Sequence, residues 1–164
     1  MYLAPRKVVL MVALLMSVSV SALVWSFVET QSDPAAVIQL LPGDLKWNSD
    51  PKLHGLQTVT LAGNPNALEP YAERIKLPAN TRLAPHSHPN EARMVTVLSG
   101  TLYFAYGDRF DGAKLKTLPA GSFFTEPKDV PHYALTKEEV ILQLNAIGPA
   151  GTNYVGAQGE LKEK

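Results

Sequence analysis

One long apolar block opens the chain, and after it short apolar stretches alternate with turn residues. From Val8 to Val28 no residue is charged. As a helix those 21 residues span roughly 31 Å at about 1.5 Å each, enough to cross a bilayer. Arg6 and Lys7 precede the block, and Val20-Ser21-Ala22 within it has the small-residue spacing of a cleavage site. A charged start, an apolar run and small residues form the secretory signal pattern. Leu23 to Val28 stay apolar beyond that site, so an uncleaved anchor is the other reading. Residues 1–28 are thus expected to be a helical signal peptide or membrane anchor. The remainder is then extracytoplasmic: periplasmic or secreted, or tethered outside. Membrane contact is expected only through this segment, and only if it is uncleaved.

Residues 29–36 read as a polar linker. From Val37 onward the pattern predicts strands at Val37–Leu41, Gln57–Leu61, Tyr71–Leu77, Met94–Leu98, Thr101–Tyr106, Gly121–Thr125 and Val140–Ile147. In Tyr71–Leu77 the alternation puts Tyr71, Ile75 and Leu77 on one face and Arg74 and Lys76 on the other. Glu73 shares the apolar face, an unusual place for a carboxylate. Pro42-Gly43, Gly63-Asn64-Pro65, Pro78-Ala79-Asn80, Ser99-Gly100, Gly107-Asp108 and Pro119-Ala120-Gly121 punctuate the stretches. Many short strands at regular spacing predict an all-β sandwich or barrel over residues 37–148. Residues 149–164 read as a loose polar tail in which Tyr154-Val155 could dock.

Composition narrows the function. Lys+Arg and Asp+Glu number 15 each, and no basic run marks a nucleic-acid surface. Cysteine is absent, which removes disulfides, thiolate metal sites and a thiol nucleophile, and suits an oxidising compartment. There is no Gly-x-Ser-x-Gly elbow, no phosphate-binding glycine loop and no His-Glu-x-x-His.

The four histidines carry the remaining signal. His86-Ser87-His88 places two imidazoles on one strand face, where they can chelate a first-row divalent metal. His54 lies apart, in a stretch that reads as a surface loop. The segment from Asn80 through His86, His88 and Gly100 resembles the first motif of the cupin family, with Asn80 in place of its first glycine. Asn tolerates a left-handed backbone, so that need can still be met. The segment Gly121 to His132 resembles the second motif: Gly121, Pro127 and His132 match, Asp129 stands where Gly is usual, and Thr136 where Asn is usual. The resemblance covers about Val37 to Gly148 and implies a cupin-type jelly-roll β-barrel.

It also implies a divalent metal ion (Fe, Mn, Ni, Cu or Zn) held by His86, His88 and His132. The main departure is Arg93, which takes the place of the family's carboxylate ligand; an arginine cannot ligate. Three readings stand open. Glu91, two residues earlier with the same parity, supplies the carboxylate if the turn adjusts. Or the three histidines alone form the site, with open positions for water or substrate. Or the site is degenerate, and Arg93 binds an anion or pairs with Glu73 or Glu91. Arg93, Glu73 and Gln143 are the candidates for substrate contact; Gln143 shares parity with Ile141 and Asn145 and is either a polar wall residue or solvent-facing. Glu126, at a strand end before Pro127, reads as a solvated rim residue. Phe123, Phe124, Tyr103, Phe104 and Tyr133 read mostly as core or interface aromatics, with one or two at the pocket mouth.

By resemblance, the expected activity is a metal-dependent small-molecule enzyme of oxygenase, isomerase or lyase type. The alternative is a non-catalytic extracytoplasmic module that captures or senses a small ligand or metal. A homodimer paired through Val37–Leu41 as an outer strand is the expected assembly.

Overall fold

The computed structural model describes residues 37–49 and 55–155. The expected N-terminal helix over residues 1–28, the linker 29–36, His54 and the end of the tail lie outside them. Eleven strands run through the described residues: β1 (Asn48–Ser49), β2 (Gln57–Ala62), β3 (Pro70–Leu77), β4 (Arg82–Ser87), β5 (Arg93–Ser99), β6 (Thr101–Tyr106), β7 (Lys116–Pro119), β8 (Phe123–Glu126), β9 (His132–Thr136), β10 (Val140–Ile147) and β11 (Asn153–Tyr154). They form two antiparallel sheets, one in the order β1-β2-β3-β10-β5-β8 and the other β11-β4-β9-β6-β7. Helix among the described residues is limited to the single turns Pro42–Asp44 and Gly112–Lys114.

Alternation decides which side chains meet between the sheets. In β10, Val140, Leu142, Leu144 and Ala146 are buried, while Ile141, Gln143 and Asn145 turn to the other face. Those inward residues pack with Leu77, Val95, Val97, Leu102, Phe104 and Phe124. Fully burying a side chain of this size contributes about 1.5–3 kcal/mol, so this inner layer is the main source of stability. Polar residues replace apolar ones at one end of it, and the histidines lie there.

Three features of the sequence reading change. Val37–Leu41 is not a strand: Val37 is 95% and Leu41 71% exposed. The free edge of β2 is already paired by β1, with Asn48 opposite Thr58, and Pro42 lacks the N–H a ladder needs. The segment is therefore not the outer strand that the expected pairing invokes. The strands β1, β4, β7, β9 and β11 were not among the predicted ones, because their inward positions are polar or few. The barrel also runs past residue 148. Asn153 pairs with Ser87, Tyr154 pairs with His86, and the Val155 N–H donates to the Pro85 carbonyl at 2.9 Å. This satisfies backbone groups along β4 that would otherwise be bare.

The motif turns keep their backbone shape whether or not glycine is present. Gly100 and Gly121 have φ of 73° and 88°, and Asn80 and Asp129 have φ of 59° and 61°. Asn and Asp accept this left-handed conformation better than other non-glycine residues. Thr136 then fastens β9 to the Asn80 turn: its Oγ1 donates to the Pro78 carbonyl at 2.6 Å and accepts from the Thr81 N–H at 2.9 Å.

Gly100 has a second constraint, since a Cβ there would collide with the Glu139 carbonyl. Gly100→Ala is expected to lower unfolding free energy by at least about 1–3 kcal/mol. Asn80→Gly should change it by less than about 1 kcal/mol. Urea denaturation of the two variants checks both values.

Candidate metal centre

His86 lies near the end of β4, His88 just beyond it, and His132 opens β9. His86 and His132 are direct cross-strand partners, so their side chains leave the sheet on the same face. Two-residue spacing brings His88 to that face as well. Ring centroids stand 4.4 Å apart for His86 and His132, 5.2 Å for His88 and His132, and 5.4 Å for His86 and His88. One ligand atom from each lies within 4.8 Å of the others. His88 and His132 are each 1% exposed; His86 is the least enclosed.

The tautomer follows from the backbone. His86 Nδ1 lies 2.7 Å from the Ala84 carbonyl, His88 Nδ1 2.7 Å from that of Gly151, and His132 Nδ1 3.1 Å from that of Val130. A carbonyl only accepts, so each Nδ1 carries the proton and each Nε2 the lone pair. Nε2 of His88 and of His132 are buried with no hydrogen-bond partner. Buried acceptors left unsatisfied are costly, and a divalent cation among them would satisfy both. The donor set therefore fits a metal. Burial pushes the His86 pKa down to about 4, with the nearby His132 adding to the effect, and burial also lowers that of His132. The His86 and His132 rings are accordingly neutral near pH 7, the form that ligates.

One carboxylate faces these rings, and it is neither Glu91 nor a rim residue. Glu126 is 9% exposed. Its Oε2 stands 3.2 Å from His88 Nε2 and its Oε1 3.6 Å from His132 Nε2. Burial alone would raise its pKa, but His88, His132 and Arg93 outweigh that and hold it at about 2. The expectation of a solvated Glu126 fails because β8 turns Phe124 and Glu126 inward and Phe123 and Thr125 outward. Shared parity with Phe124 was the available signal. Two adjacent phenylalanines hid it, since either could have been the inward one.

Glu91, the expected carboxylate ligand, is turned elsewhere. It is buried, its Oε2 accepts from the Tyr71 hydroxyl at 2.6 Å, and its Oε1 accepts from Arg93 Nε at 2.7 Å and Nη2 at 2.6 Å. Both oxygens are thus occupied. Arg93 pairs with Glu91, and its Nη1 lies 3.9 Å from Glu126 Oε2. With its fork held by Glu91, the guanidinium is not free to clamp an anionic substrate. Glu73 on β3 is half-buried, and burial raises its pKa, opposed by the charge of Arg93 and a hydrogen bond with Thr58; it is not among the clustered histidines. Gln143 is not brought to the centre. It lies on the outer face of β10 and accepts from Arg74 Nε at 3.1 Å, because its parity is opposite to that of the buried Leu142 and Leu144.

Two tyrosines complete the row of rings. Tyr154 on β11 is the partner of His86, and Tyr106 on β6 is the partner of His132. Tyr154, His86, His132 and Tyr106 therefore lie side by side on the inner face of four adjacent strands, both tyrosines exposed. Of the expected pocket aromatics, Phe104 stands 5.5 Å from the His132 ring and Phe124 4.5 Å from Phe104. Phe123 is exposed on the outer face, and Tyr103 and Tyr133 also turn outward, Tyr133 beneath Phe110.

Comparison with known proteins agrees with this architecture. Residues 73–145 match the family model of the cupin domain. Among curated proteins no sequence match was found. The polyketide cyclase RemF from Streptomyces resistomycificus has a similar structure, with a TM-score of 0.62 and 17% identity over 76% of this chain and 89% of its own. An RmlC-like cupin from Shewanella frigidimarina gives a TM-score of 0.53 and 22% identity over 68% of this chain and 89% of its own. A DMSP lyase gives 0.54 and 15% over 68% of this chain and 63% of its own. At these identities the likeness speaks for the fold. With two motifs in register and a family model matching residues 73–145, that stretch is a cupin domain, and the described strands carry the cupin-type jelly-roll fold.

Proposed function

We propose that this chain is a metal-dependent enzyme that acts on a small molecule, by oxygenase, isomerase or lyase chemistry. One observation carries the reading: three carbonyl-anchored imidazoles turn their Nε2 atoms into one space, and two of those atoms are buried without a partner. A cyclase and a lyase among the structural neighbours are compatible with it at the level of the fold. A divalent ion held there supplies a Lewis acid for a carbonyl or carboxylate oxygen. The chain's own residues do the rest. The anchored rings fix the ligand directions. Tyr154 offers its ring beside His86, while Tyr106, the cross-strand partner of His132, has its hydroxyl donated to the Thr125 carbonyl. Arg93 is neutralised by Glu91, so it adds little to whatever attraction for an anion the ion itself would exert. The preferred substrate is therefore a small molecule with an oxygen donor and an apolar or planar flank. We further propose that the barrel works outside the cytoplasm, from the uncharged run Val8–Val28 behind Arg6 and Lys7.

The purified chain is expected to take up one divalent ion, measured by elemental analysis. His86→Ala, His88→Ala and His132→Ala should each weaken affinity by at least about tenfold. Absence of metal uptake at neutral pH would refute the reading. Metal uptake with no exchangeable water on the ion would favour a capture module over an enzyme.

Acid should destabilise the metal-free protein. The folded pKa of His86 is below its unfolded value of 6.5, so the unfolded chain binds this proton first. Stability from this group is full above about pH 6.5 and is lost as pH falls towards about 4, to the extent of about 3 kcal/mol. Glu126, also lowered, adds a further loss below about pH 4.5. Urea midpoints measured with chelator from pH 7.5 to 4 test this, and a flat profile would contradict it.

Fusing residues 1–36 to a reporter should carry it across the membrane. Two acidic substitutions within Val8–Val28 should block transport, at a cost of about 2.5–3.5 kcal/mol each near the centre. A reporter retained in the cytoplasm would refute the placement.

A further inference from the structure

The strand pairing beneath the centre gives a carboxylate that position 93 lacks. β5 and β8 are antiparallel neighbours, and Arg93 stands directly opposite Glu126. Directly opposed residues have Cβ atoms about 4.5–5.5 Å apart and share one face. A carboxylate at 126 therefore reaches the space that a carboxylate at 93 would reach.

The contact between Glu126 and His88 has the spacing of two ligands on one ion. Two atoms each about 2.1 Å from one ion stand about 3.0–3.4 Å apart when they subtend 90–109°. Glu126 Oε2 lies 3.2 Å from His88 Nε2, within that range, and its other oxygen, Oε1, lies 3.6 Å from His132 Nε2, slightly beyond it. Both nitrogens present lone pairs, because Gly151 and Val130 hold the protons on Nδ1. An ionised carboxylate also only accepts. Lone pairs aimed at one another in this way would be satisfied by a cation between them.

The charges around Glu126 support the same arrangement. Glu91 takes two donors of Arg93, and Tyr71 donates to the other oxygen of Glu91. Arg93 and Glu91 thus cancel, and the charge of Glu126 is left facing the imidazoles. We propose that Glu126 is the fourth protein ligand of the metal centre. From β8 it fills the place that the family motif fills from β5, with Arg93 and Glu126 exchanged across the strand pair.

This inference rests on the metal-binding reading above, and the test separates the two. The full chain is loaded with cobalt(II). Its affinity is measured by chelator competition and its coordination by visible absorption. Glu126→Gln is expected to weaken affinity by at least about tenfold and to change the absorption bands. The double variant Arg93→Glu/Glu126→Arg returns the carboxylate to β5 and should recover most of that loss. A wild-type chain that binds no cobalt overturns the metal reading and this inference together. A wild-type chain that binds cobalt, with Glu126→Gln equal to it in affinity and spectrum, overturns the exchange alone. If Glu126→Gln does not fold, Glu126→Asp keeps the charge but withdraws it by one methylene. Weaker binding with shifted bands is then expected, and unchanged bands overturn the proposal.

Discussion

Each imidazole of the centre gives its Nδ1 proton to a backbone carbonyl, and the rest of the site depends on that. Without those bonds a ring could turn or change tautomer, and its neighbour could satisfy it directly. With them, every Nε2 faces inward as an acceptor, and no pair of rings can hydrogen-bond to each other. Two of the three anchors are local: His86 uses the carbonyl of Ala84 and His132 that of Val130, each two residues back. The third is not. His88 is anchored by Gly151, 63 residues further along. The returning segment also sets Tyr154 beside His86, so its docking orients one ligand and places one wall of the mouth. It is part of the site, although it lies beyond the motifs.

The interior charges follow from the same geometry. A buried guanidinium without a partner would be expensive, and Arg93 has two acidic neighbours. Glu91 takes most of its hydrogen-bonding fork, while Glu126 sees it only at 3.9 Å. Tyr71 closes the far side of Glu91, and its own pKa is raised, first by burial and then by that hydrogen bond. It therefore stays a neutral donor. The pattern Tyr71 to Glu91 to Arg93 is closed, and Glu126 is the member with acceptor capacity to spare towards the histidines.

Legibility in the sequence tracked how far each feature was local. Thr101–Tyr106 and Val140–Ile147 were readable to the residue, because alternation along one strand reports one buried face. The histidine triad was readable because His86 and His88 sit two residues apart at the end of β4 and the spacing of the second motif fixes the third. Asn80 was readable through its tolerance of a left-handed backbone, and Asp129 repeats that solution. Val37–Leu41 is apolar without being a strand, since the edge it would need belongs to β1. The strands β7 and β11 escaped because four and two residues carry too little pattern. Gln143 could be read either way until β10 was seen to turn its leucines inward.

Glu126 shows where reading along the chain stops. A motif records which residues follow one another, but a metal centre records which residues face one another. Antiparallel pairing makes positions 93 and 126 neighbours in space at a separation of 33 residues in sequence. Along β5 the arginine looks like the loss of a ligand. Across β5 and β8 it looks like one half of a pair whose other half is a carboxylate. Cross-strand partners point to the same face, so exchanging them preserves the charges around the cavity while altering every linear motif that passes through it. For a site built at the seam of a barrel, register is therefore the unit in which its ligands should be counted.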